Sequence, residues 1–181
     1  MTKKIIAFGA SNSKQSINKK FATFAANQLN DVEVSILDLR DFELPIYSFD
    51  LEKESGVPEH AIRFSKLIQE SDGVIISLAE HNGLFTSVFK NLWDWMSRID
   101  TRNIWHDKAV FLLGTSPGKN PESNVMKISK DLFPLFGAHL VSSFHLPSFN
   151  HFFDEGAITD SKQQELFTVK LEKFQTYLNE N

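Results

Sequence analysis

The sequence contains no cysteine, which excludes disulfides, iron–sulfur ligation and a thiol nucleophile together. No apolar run approaches the roughly 18 residues of a membrane span. Charge of one sign is not in excess: the net charge is −4, which offers no electrostatic argument for nucleic acid or an anionic membrane as partner. The amino-terminal stretch MTKKIIAFGASNSK holds two lysines and only about six apolar residues, too few for a signal-peptide core, so an intracellular, cytoplasmic protein is expected. Glycine is scarce near the first turn, where Gly9 stands alone and the next glycine is Gly56. A dinucleotide fingerprint needs two further glycines there. A Walker A loop needs glycine five positions after Gly9 followed by Lys-Ser/Thr, and the chain has Lys14-Gln15. The nucleophile elbow G-x-S-x-G fails by one residue, because Ser13 stands at its second glycine. Six histidines occur without H-x-H or H-E-x-x-H spacing, so no metal site and no metal ligand is assigned.

Present instead are short apolar runs alternating with segments of helical period. With 181 residues, 41% of them hydrophobic and 17 of them Phe, the chain can bury one substantial core and is read as a single domain, 1–181. Runs at 4–8, 32–39, 73–79, 109–114 and 139–144 read as strands, and 73–79, apolar on both faces, as a central one. Helices are expected from Ser16 to near Leu29, over 59–71, 84–98 and 121–135, and at the carboxyl end around Phe167, Leu171, Phe174 and Leu178. The segment 41–58, with two prolines and mixed charge, reads as an excursion or flap. Strands regularly separated by helices argue for βαβ units around a parallel sheet covered on both faces. Ligands of such sheets bind outside the carboxyl ends of the strands, where strand order reverses. The informative residues are therefore those of the strand-end loops 9–18, 79–84 and 114–122.

The first loop, GASNSKQSIN, offers Ser11, Ser13, Ser16 and Asn18 as donors at the start of a helix, with lysines at 14, 19 and 20. Small donors and free helix amides suit a phosphate monoester. Alternatively, Ser16 only caps the helix while Ser11 and Ser13 fill a turn. The second loop, AEHNGLF, contains Glu80, His81, Asn82 and Gly83, where glycine permits close approach of a flat ligand or simply completes an Asn-Gly turn. The third loop, GTSPGKNPES, carries Ser116 and Gly118 among three hydroxyls and two prolines, and could clamp the ligand's other edge or be a plain turn.

Together the three loops resemble the NADPH-dependent FMN reductase family, flavodoxin-like flavoproteins that include quinone, chromate and azo-dye reductases. The family's first loop, approximately G-S-x-R-x-x-S-x-N, is matched at Ser11, Ser16 and Asn18, with Ser13 in place of the arginine. Its P-E-Y-N-G-S block and following L-K-N-x-x-D-W helix are matched at Glu80, Asn82, Gly83, Lys90, Asn91, Asp94 and Trp95, with Ala79 and His81 for the proline and tyrosine. Its third loop and the turn into the last strand follow the course of 115–141. The resemblance implies a flavodoxin-like three-layer sandwich, with five parallel strands in the order 2-1-3-4-5. It implies FMN, its phosphate on Ser11, Ser13, Ser16 and Asn18 and its ring along Glu80, His81, Asn82 and Gly83, with Ser116 and Gly118 at the edge.

Electrons would pass from NADPH or NADH through FMN to a quinone, flavin, azo compound or metal oxyanion, with no catalytic side chain required because the flavin does the chemistry. The backbone amides of 80–83 are candidates to steady the charge of the reduced ring. The alternative is a flavodoxin-like electron carrier without enzymatic activity. The resemblance also implies a homodimer or dimer of dimers. Two apolar stripes on helix 84–98, Leu84/Val88/Leu92/Trp95 and Phe85/Phe89/Trp93/Met96, point the same way unless the flap 41–58 covers one of them.

Overall fold

A computed structural model describes residues 2–99 and 103–181. In chain order the elements are β1 (Lys3–Gly9), α1 (Ile17–Asn27), β2 (Val32–Leu37), α2 (Phe49–Ser55), α3 (Glu59–Glu70), β3 (Gly73–Leu78), β4 (Glu80–His81), β5 (Leu84–Phe85), α4 (Ser87–Met96), β6 (Ala109–Thr115), α5 (Asn124–Leu135), β7 (His139–Leu146), α6 (Phe149–Phe152), β8 (Phe153–Asp154), β9 (Ala157–Ile158) and α7 (Ser161–Glu180). No helix among the described residues is long and apolar enough to cross a membrane.

Five strands form one parallel sheet in the order β2-β1-β3-β6-β7. Counting sheet strands alone, this is the expected 2-1-3-4-5 order of the flavodoxin-like fold. The continuous apolar runs of β3 and β6 are buried along their whole length, as central strands must be. Edge strand β2 alternates half-buried and exposed positions for most of its length. Because Ile5 pairs with Gly73 and Gly73 with Ala109, the carboxyl ends of β1, β3 and β6 finish side by side and deliver three loops to one edge.

The sheet separates two apolar layers. On one face Phe21, Ala22 and Ala25 of α1 pack with Phe167, Leu171, Phe174 and Leu178 of α7, around Ile5, Ile75 and Phe111. On the other, Phe64 and Ile68 of α3, Phe89, Leu92 and Trp93 of α4 and Phe133 of α5 pack with Trp105.

Several boundaries differ from the sequence reading. Helix 84–98 starts only at Ser87, because the Thr86 hydroxyl caps it by accepting the Phe89 N–H, leaving Leu84 and Phe85 to pair with His81 and Glu80 in a hairpin. The helix expected from 121 starts at Asn124. Segment 149–158, for which nothing was expected, forms α6 and the β8–β9 hairpin.

The flap is a strap that carries α2 and is tied to α4. Asn91 accepts the Tyr47 N–H at 2.8 Å and donates to the Pro45 carbonyl at 2.9 Å. Trp95 Nε1 donates to that same carbonyl at 2.8 Å, and its ring meets Tyr47 edge-on at 5.1 Å. Trp95 is thus wholly buried within one chain, while Leu84 of the same stripe stays 61% exposed, so the strap covers that stripe only in part.

Candidate functional site

A cleft of about 450 Å3 opens at the carboxyl edge of the sheet, walled by all three loops. Its first wall depends on Gly9. A Cβ there would lie 2.3 Å from the Lys19 amide nitrogen, so only glycine lets the strand end pass this close to α1. The chain then folds through serine turns. Ser11 Oγ accepts the Ser13 N–H, Ser13 Oγ accepts the Gln15 N–H, both at 3.2 Å, and Ser16 Oγ accepts the Lys19 N–H at 3.1 Å as the cap of α1. The capping reading of Ser16 is correct, yet it leaves a donor. In each serine the oxygen receives a backbone N–H while the hydroxyl proton remains available.

Asn18 also lines the cleft, but most of its amide is committed inside the protein. Its Oδ1 accepts from Ser77 Oγ at 2.8 Å and from the Thr115 N–H at 3.1 Å, and its Nδ2 donates to the Thr115 carbonyl at 3.3 Å. It acts as a bracket joining α1 to the ends of β3 and β6. Thr86 makes a comparable tie, donating to the Ala10 carbonyl at 2.8 Å from the start of α4.

Asn82 and Gly83, with φ of 54° and 81°, form the two-residue turn between β4 and β5. Positive φ at both central positions is the Asn-Gly hairpin turn, so the plain reading of this loop holds for these two residues. They do not line the cleft, whereas Glu80 and His81 do. Glu80 Oε2 accepts the Val125 N–H at 3.1 Å and so caps the first turn of α5. His81 is exposed.

Ser116 and Gly118 line the opposite wall. Their carbonyls are pinned from outside by the amides of Phe149 at 2.9 Å and Ser148 at 2.7 Å. The Thr115 hydroxyl donates to the Leu146 carbonyl at 2.7 Å.

The cleft is short of cations. Among its described lining residues there is no lysine or arginine, and Glu80 and Glu122 are present. Lys14, a candidate for the charge of the family's arginine, lines a different groove with Lys20, Phe24 and Phe153. Lys19 is paired with Asp38, whose carboxyl is held far below the usual range, first by the Arg40 guanidinium and then by Lys19. Among the described residues no group of three His, Asp or Glu is placed to hold a metal.

The sequence reading missed Ser77, Glu122 and Ser123. Ser77 carried a signal, being the lone polar residue in the apolar run GVIISLA. Ser123 is the cap residue of α5 without a capping bond, and its hydroxyl is buried, unpartnered and on the cleft wall. An orphan hydroxyl is costly in a finished protein and suits a polar ligand edge. Two helix starts, α1 at Ser16 and α5 at Ser123, therefore open onto one cleft. Neutral donors at the first fit a phosphate, and the residues present suit a flavin mononucleotide.

The model of the NADPH-dependent FMN reductase family matches residues 3–151. A 2-hydroxy-1,4-benzoquinone reductase of Burkholderia is 34% identical over 119 residues, spanning 65% of this chain and 63% of that enzyme. A Mycoplasma pneumoniae protein described only as an MG342 homologue is 30% identical over 158 residues, 80% of this chain and 90% of that one. Among solved structures, the flavoenzyme NAD(P)H:(acceptor) oxidoreductase FerB of Paracoccus denitrificans superposes with a TM-score of 0.77 over 98% of both chains, at 24% identity, a likeness of fold alone. With the family model covering most of its length and all three loops, this chain belongs to the NADPH-dependent FMN reductase family.

Proposed function

We propose that the protein is an FMN-dependent oxidoreductase that takes reducing equivalents from NADPH or NADH and delivers them to a quinone-type acceptor. The observation that carries this reading is the convergence of three strand-end loops on one cleft with unspent hydroxyl donors at a helix start. Ser11, Ser13 and Ser16 would give their hydroxyl protons to the FMN phosphate, reinforced by the amino-terminal end of α1. Among the described lining residues there is no lysine or arginine, so neutral donors and the helix carry that task. Asn18 positions the three loops through Ser77 and Thr115.

The chemistry that bound FMN would supply is hydride acceptance from a nicotinamide and electron delivery to the acceptor. Ser116, Gly118, Glu80 and His81 would border its ring, while the Asn82-Gly83 turn fixes where the last two stand. The acceptor class follows the benzoquinone reductase among the relatives, which is matched over only 63% of its length.

The test is spectroscopic and kinetic. Purified protein, or protein titrated with FMN, should show flavin absorption with bound-state shifts, and should oxidise NADPH or NADH when 1,4-benzoquinone is supplied. No spectral change with FMN would overturn the reading. Bound flavin without nicotinamide oxidation would make the protein an electron carrier instead.

A further inference from the structure

Among the described residues the one buried histidine is His145, the penultimate residue of β7. It is 9% exposed, and neither ring nitrogen has a partner in hydrogen-bonding geometry. An imidazole buried this way carries two unsatisfied polar atoms, an arrangement that calls for an explanation. The ring backs onto Gly114, its register partner on β6, where a Cβ would stand 3.0 Å from His145 Cδ2 and 3.0 Å from Met126 Cγ. The next residue on β6, Thr115, belongs to the cleft wall and is tied to Leu146, the next residue on β7.

The charges that act on the ring come from Glu122 of the third loop and Glu80 of β4, and both favour its protonated form. Glu122 is itself paired with Lys130 of α5. Met126 of α5, which with the ring crowds Gly114, brings no charge, nor does Gly114. The Pro121 carbonyl also favours the charged ring without reaching hydrogen-bonding geometry, but burial outweighs all three and holds the His145 pKa below its ordinary value.

Glu80 and Glu122 have a second role, since both line the cleft. An anion bound there adds negative potential beside two carboxylates, with no lysine or arginine among the described lining residues to offset it. We propose that His145 is the internal proton acceptor of this site, uncharged in the ligand-free protein and taking up a proton from solvent when an anionic ligand fills the cleft. The balance is one proton bound to an imidazole nitrogen, with no bond broken in protein or ligand. By linkage, each unit by which the ligand raises the ring's pKa makes binding about tenfold tighter at acid than at alkaline pH. The inference rests on the reading of the cleft as an FMN site.

The experiment is calorimetric titration of flavin-free protein with FMN at pH 6.5, in two buffers of different ionisation enthalpy, for wild type and His145→Gln. The phosphate of FMN titrates in the same range and contributes equally to both proteins, so the difference between them is read. Wild type should take up more protons per FMN bound than the variant. Its affinity should also gain more between pH 7.5 and pH 5.5. In parallel, NMR of the wild-type imidazole should show its pKa rising on FMN addition, a measurement that does not depend on the variant folding. Equal proton uptake in both proteins, or an unmoved ring pKa, overturns the proposal while leaving the flavin reading intact. Absence of FMN binding at every pH overturns the flavin reading itself.

Discussion

Asn18 and Thr115, 97 positions apart in the chain, hold each other twice: the Asn18 carboxamide oxygen receives the Thr115 N–H at 3.1 Å and its nitrogen donates to the Thr115 carbonyl at 3.3 Å. The side chain thus imitates a strand neighbour at the point where β6 leaves the sheet. Asn18 is 4% exposed and Thr115 likewise, so water cannot replace these bonds without opening the site.

Asn18→Leu removes this bracket and strands the Thr115 backbone together with the Ser77 hydroxyl. Buried groups left without partners cost about 1–3 kcal/mol each. We expect a loss of about 2–4 kcal/mol in urea unfolding, read as a lower midpoint at unchanged slope, and weaker FMN binding. An unchanged midpoint would mean that the bracket is dispensable.

Ser16→Asp separates the two tasks of that residue. Aspartate caps a helix start as well as serine, so thermal stability should stay within about 0.5 kcal/mol of wild type. A carboxylate against the phosphate should cost on the order of 2–4 kcal/mol of FMN binding at the effective dielectric of a protein surface. Equal FMN affinity in the variant, measured by fluorescence titration, would place the phosphate elsewhere.

Gly9→Ala sets a methyl group 2.3 Å from the Lys19 amide nitrogen, with the Lys19 Cα at 2.7 Å. Both obstacles are backbone and cannot rotate away. The expected loss exceeds about 3 kcal/mol, above the usual range for overpacking, and a melting temperature equal to wild type would contradict it.

Asp38→Asn tests the junction of β2 and α1. The Asp38 pKa is depressed by Arg40 and Lys19, so this ion pair contributes stability above the ordinary carboxylate value of 3.8 and loses it as pH falls through the lower folded value. Wild type should exceed the variant in unfolding free energy at pH 7, and the gap should begin to narrow below about pH 4 and still be narrowing at pH 2. A gap that is the same at pH 2 as at pH 7 would assign the effect to packing.

The sheet was legible because β3 and β6 are continuous apolar runs and β1 leads into an amphipathic helix with Phe21, Phe24 and Ala25 on one face. The cleft was legible as three strand-end loops. The roles inside those loops were less so. Asn18 looked like a ligand donor from its neighbours, and only its distant partners Ser77 and Thr115 show that it braces the fold. Leu84 and Phe85 continued an apolar stripe in the sequence, but the pairing of Glu80 with Phe85 drew them into a hairpin. Of the motif residues on α4, Asn91 and Trp95 hold the strap, while Lys90 pairs with Asp94 at 2.6 Å. The roles of Asn91 and Trp95 depend on a segment 44 to 50 positions earlier in the chain, which no local pattern displays.

All three tryptophans, Trp93, Trp95 and Trp105, lie on the α3–α4–α5 side of the sheet, and the layer beneath α1 and α7 is built from phenylalanine without an indole. Intrinsic emission is therefore a one-sided witness. A partial opening that peels α7 from Phe111 and Phe144 would leave the indoles undisturbed and pass unseen, while loosening of the strap at Tyr47 would wet Trp95 and register at once. Agreement between tryptophan emission and far-ultraviolet dichroism would report cooperation across the sheet, and divergence would show its two faces yielding separately.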